Sequence, residues 1–183
     1  LLKELTQVVM LLIREKRSTD AYEKRVVEVE IALEETRRFL AMIQSSNVRD
    51  REKHLNLMHV TDHLARLIKV LRDQQHAEAV YLQNETMENF NGVLERVMER
   101  IDHKEAFIRT ATLLENTSKE MADRRRMKRE EYFERAITNE VDVEQSTAKV
   151  EAILWVDRLI FHFFRSSARM ANYVRLDEMR QMK

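Results

Sequence analysis

Leu64-Ala65-Arg66-Leu67-Ile68 returns 92 positions later as Val156-Asp157-Arg158-Leu159-Ile160, in a chain of 183 residues. A second motif keeps the same offset. Ser46-Asn47 with Asp50 and Glu52 reappears as Thr138-Asn139 with Asp142 and Glu144. With Arg37 and Arg129 added, windows 37–68 and 129–160 share seven identities: Arg37, Asn47, Asp50, Glu52, Arg66, Leu67 and Ile68. Chance at average composition gives roughly two. The economical reading is a duplicated helical unit, each copy about half the chain.

Composition narrows the class. There is no Pro and only one Gly, Gly92, so nothing punctuates the chain as a strand-and-turn protein requires. Glu, Lys, Arg, Leu and Met are abundant, and all are good helix formers. Lys plus Arg and Asp plus Glu both number 32, a balance that argues against nucleic acid as a partner. The lack of Cys excludes disulfides and thiolate chemistry and fits a reducing compartment. No apolar run reaches the roughly 20 residues that span a bilayer. The first residues show no basic-then-apolar signal pattern. The sequence opens on Leu1 in mid-helix pattern, as expected of a piece of a longer chain.

Periodicity then predicts the elements. Leu2, Leu5, Val9 and Leu12 mark a first helix, closed by Arg14, Lys16 and Arg17. Asp20 with Glu23 reads as the cap of a second, whose seam is Tyr22, Val26, Val29, Leu33, Thr36, Leu40 and Ile43. Asn47 caps a third, with Leu57, Val60, Leu64, Leu67 and Leu71 as one stripe and a polar turn at Asp73–His76. In the fourth, Met87, Phe90, Leu94, Val97, Ile101, Ile108 and Ala111 hold one register. That register predicts a continuous helix to position 114, across the possible cap at Asp102 and Glu105. The break is expected at Asn116, where Thr117 and Glu120 form a capping box for a charged fifth helix. The sixth begins near Asp142 and holds Trp155, Phe161, Phe163, Phe164 and Tyr173. Six helices with short connections predict an all-α fold of two tandem antiparallel three-helix bundles, 1–75 and 77–183. A pseudo-twofold would relate them, with Arg66 and Arg158 at equivalent places.

These residues resemble the PhoU family, two tandem three-helix bundles whose third helices carry a run of the type L-E-R-I-G-D with an E-x-x-x-D metal pair. Residues 64–69 and 156–161 match that run in position and in their Arg and aliphatic residues. The chain most resembles the C-terminal PhoU-like domain of bacterial sodium/phosphate cotransporters, on its mid-helix start, on His59-x-x-Asp62-His63 and on Trp155-Val156-Asp157-Arg158. The resemblance implies a non-enzymatic regulatory domain on the cytoplasmic side of the inner membrane, modulating phosphate uptake. Its partner would be a transporter membrane domain in the same longer chain. The chain departs from the pattern where Ala65, Lys69 and Phe161 replace acids and only Asp157 survives. Such side chains cannot ligate a hard or borderline cation, so neither a multinuclear cluster nor another cofactor is expected.

Two groups of residues remain as candidate sites. His59, Asp62 and His63 lie at i, i+3 and i+4 and share a helix face, a spacing able to hold zinc or iron. The same spacing suits a polar flank on which Asp62 pairs with Arg66. With Asp157 these residues support an alternative reading, a metal-binding helical bundle. The run Arg124, Arg125, Arg126, Lys128 and Arg129 could touch a partner protein or anionic lipid, or form a solvated face beside Asp123, Glu130, Glu131 and Glu134. The heptad-like seams would also suit a helical scaffold that forms a homodimer. There is no Gly-rich phosphate loop, Ser-centred elbow or Glu-x-x-His pair, so no enzyme is expected.

Overall fold

A computed structural model describes residues 1–16, 18–45, 47–73, 83–138 and 142–181, without the side chains of 104–107 and 178–181. Arg17, Ser46, Asn139, residues 74–76 of the expected turn and the Glu105 side chain lie outside that description. Six α-helices account for nearly all the described residues, and there is no strand among them: α1 (Leu2–Glu15), α2 (Asp20–Met42), α3 (Val48–Arg72), α4 (Asn84–Arg100), α5 (Lys104–Ile137) and α6 (Val143–Gln181). None of them is long and apolar enough to cross a membrane.

Local chemistry sets the ends. α1 closes on Lys16, in the left-handed region with φ 53°, its N–H bonded to the Leu12 carbonyl. The α2 cap is Thr19, whose Oγ1 accepts from the Tyr22 N–H at 3.3 Å. Asp20, expected as the cap, is the first helical residue, where its carboxylate favours the dipole. Asn47 caps α3 through Oδ1, which accepts from the Asp50 N–H at 2.9 Å. Asp142 caps α6, accepting from the Glu144 N–H at 3.1 Å.

The break between α4 and α5 falls at 101–103 and not at Asn116. Core residues carry the helix through the expected break: Thr110, Ala111, Leu114, Ser118 and Met121 are all buried on one face. Thr117 caps nothing; its hydroxyl donates to the Leu113 carbonyl at 3.0 Å, one turn back. At the true break, Lys3 of α1 holds Asp102 at 2.7 Å. A register that spans a chain reversal is indistinguishable, in sequence, from one that spans a helix.

The helices close a ring in which α1 packs on α2, α2 on α3, α3 on α6, α6 on α5, α5 on α4 and α4 on α1. One apolar cluster fills the centre, and it includes Leu5, Tyr22, Leu64, Leu67, Phe90, Leu94, Leu114, Trp155 and Phe163. Each such side chain contributes about 1.5–3 kcal/mol by leaving water. α6 has partners on two sides, so 152–167 is buried far beyond one stripe. Its aromatics Trp155 and Phe163 are core, and Phe163 meets Phe90 edge-on at 6.1 Å.

Candidate functional site

Chemistry-bearing side chains gather along the seam where α3 runs antiparallel to α6. At one end the Arg49 guanidinium donates to the Leu176 carbonyl, and Lys53 pairs with Asp177 at 2.8 Å. At the other end Trp155 Nε1 donates to the Val70 carbonyl at 2.9 Å. Between them the imidazoles of His63 and His162 face each other, Nδ1 to Nδ1 at 3.4 Å. The Phe161 ring stands edge-on to both, 6.3 Å from His63 and 5.3 Å from His162.

Electrostatics keep this pair neutral. His63 is pushed down to about 4, first by burial, then by His162 and Arg165, against the opposing pull of Asp62. Burial likewise lowers His162, helped by Arg66 and Arg158 and opposed by Asp62. Asp62 pairs with Arg66 at 3.0 Å on the outer flank of α3. Arg165 Nε is buried without a hydrogen-bond partner among the described residues.

The sequence candidates scatter around this seam. His59 is half-buried one turn before His63. Asp157 faces α5 and is buried, with Arg125 Nη1 donating to its carboxylate at 2.6 Å. Burial raises its carboxyl above the ordinary range, outweighing the attraction of Arg125 and Arg158. Arg66 and Arg158 are both exposed, as are Lys69 and Phe161; Ala65 is half-buried. No group of three or more His, Cys, Asp or Glu able to hold a metal occurs among the described residues. Sequence reasoning missed His162, which lies 99 positions from His63 and acquires meaning only across the seam.

The basic run does not form one free cationic face. Arg124 reaches Glu85 of α4 at 3.3 Å, and Arg125 reaches Asp157 of α6. Arg126 pairs with Asp123, Lys128 pairs with Glu131 at 2.6 Å, and Arg129 lies over the Phe133 ring. Lys128 holds the Glu131 carboxyl below the usual carboxylate range. Exposed apolar side chains share the outer half of α5 with this run: Met127, Phe133 and, 80% exposed, Ile137, with Val143 at the start of α6.

Comparisons of the chain with family models, curated proteins and solved structures return no match.

Proposed function

We propose that the chain is a non-enzymatic regulatory domain that acts from the cytoplasmic side on a sodium/phosphate cotransporter. On this reading it is built as two tandem antiparallel three-helix bundles, 1–75 and 77–183, related by a pseudo-twofold. The observation that carries the reading is the order of packing around the ring. α1–α2–α3 and α4–α5–α6 repeat one sequence of contacts, and the two joints, α1 on α4 and α3 on α6, each set an element against its own counterpart. A twofold permits that arrangement, since each such joint is its own symmetry mate. The repeated motifs add to it. The contacts of His63 with His162 and of Val70 with Trp155 bracket a stretch in which 64–68 runs alongside 157–161. Each copy of the motif therefore packs on the other.

Such a domain acts only by contacting two states of its partner differently. The outer half of α5 suits that contact, because Met127, Phe133 and Ile137 expose apolar surface beside Arg126 and Arg129. Arg125 is not free for this role, since it neutralises buried Asp157. In cells carrying the full transporter, deletion of the domain should alter phosphate uptake. Met127→Gln with Ile137→Gln should do so while leaving the helical circular-dichroism signal intact. Uptake kinetics unchanged by both alterations would overturn the proposal.

A further inference from the structure

We propose that the tip of the α2–α3 hairpin and the adjoining stretch of α6, residues 36–58 with 168–177, form a surface that docks on an anionic lipid bilayer. Two observations meet there. The first is apolar exposure. Phe39, Met42, Ile43, Val48, Leu55 and Met58 all stand in solvent at this tip, Phe39 61% and Met42 73% exposed. α2 already meets the core through Val29, Leu33 and Leu40, and α3 through Val60, Leu64 and Leu67. The six therefore form an outward apolar face that the fold itself does not use. The Ser45 hydroxyl and His54 Nδ1, 3.2 Å apart, join the two helices at the tip.

The second observation is charge. The chain as a whole is neutral, yet 36–58 and 168–177 together carry seven Lys or Arg against three Asp or Glu. Arg38 is tied to Glu34, Arg49 to the Leu176 carbonyl and Lys53 to Asp177. Arg37, Arg51, Arg169 and Arg175 have no side-chain partner among the described residues. Packing sets this charge beside the apolar face, because Leu55, Arg169 and Arg175 line one groove between α3 and α6.

Charge selects the occupant. A second copy would set one cationic tip against another, and like charges repel. A purely apolar partner would leave the arginines unpaired. An anionic bilayer offers hydrocarbon to Phe39, Met42 and Leu55 and acidic headgroups to the guanidiniums. Such a tip enters the headgroup layer without spanning the membrane, in keeping with helices none of which is long and apolar enough to cross one. Each cation near an anionic surface raises partitioning about fivefold and acts only within a Debye length, so binding must weaken with salt.

The inference does not depend on any role in phosphate transport. Co-sedimentation of the chain with vesicles tests it. Vesicles containing phosphatidylserine should bind at least about tenfold more strongly than phosphatidylcholine alone, and binding should fall as salt rises above about 0.1 M. Arg37→Gln with Arg51→Gln, and separately Phe39→Gln with Met42→Gln, should each weaken it at least about tenfold. Arg96→Gln with Arg100→Gln removes the same charge from exposed positions of α4 and should leave binding unchanged. No binding to phosphatidylserine vesicles, equal binding to neutral ones, or an equal loss in the α4 variant would overturn the proposal. A solution dimer that Phe39→Gln/Met42→Gln dissociates would assign the face to a second copy instead. Binding of polyglutamate without binding of vesicles would assign it to an acidic protein. If a variant unfolds, the lipid and salt dependence of the unaltered chain decides.

Discussion

The Asp157 side chain is 12% exposed, with Arg125 as its hydrogen-bonded counter-ion. Removing one partner of such a pair leaves a desolvated charge behind, which costs more than the pair itself contributes. Arg125→Met should therefore destabilise the fold at pH 7 by about 1–3 kcal/mol, less than for a fully buried pair because the Arg125 side chain is 35% exposed. Arg125→Met with Asp157→Leu should recover most of the loss. The sign with pH follows from the raised Asp157 carboxyl. The native state favours its neutral form, so the penalty is full above the raised value and fades as pH falls toward the ordinary 3.8. Urea unfolding at neutral and acidic pH measures this. A deficit of Arg125→Met that grows on acidification would contradict the assignment.

At the scale of one helix, α4 contains the chain's only glycine. Gly92 stands in mid-helix, and a β-carbon built on it would meet nothing within 4 Å. Neither a turn, a close approach nor a positive φ requires glycine there. It contributes only backbone freedom to the unfolded chain. Gly92→Ala should raise stability by about 0.5–1 kcal/mol. The midpoint of urea unfolding should rise with an unchanged slope. A lower midpoint would mean that the position packs against something in solution. α5 teaches the complementary lesson, since it holds 34 residues together with little local amphipathicity by borrowing a core face from α4 and α6.

Across the whole molecule, the α3–α6 seam couples the first three helices to the last three, and its histidines make that coupling sensitive to pH. His63 titrates at about 4 when folded and at 6.5 when free, and His162 shifts in the same direction. The unfolded chain thus binds protons more readily. The stability involved is fully present above pH 6.5 and is lost as pH falls from 6.5 through 4. Asp157 acts with the opposite sign, so the histidine contribution is isolated by comparison with His63→Gln/His162→Gln. Urea midpoints of the unaltered chain should fall more steeply between pH 6.5 and 4 than those of the double variant. Parallel profiles would show that the rings are solvated.

The sequence by itself determined the helical class, most helix positions and much of the inward face. Those properties are local: Leu2, Leu5, Val9 and Leu12 share a side because a helix turns every 3.6 residues, and Asn47 can cap only the helix that follows it. Tertiary structure alone decided three things. It set the α4–α5 break, because burial of Leu114, Ser118 and Met121 outweighed a weak capping box at Thr117. It tied Arg124 and Arg125 of the basic run into joints between helices, because Glu85 and Asp157 approach them only after the helices pack. And it brought His63 against His162, since a side-chain pair is defined by a distance in space and sequence spacing encodes such distances only within one element.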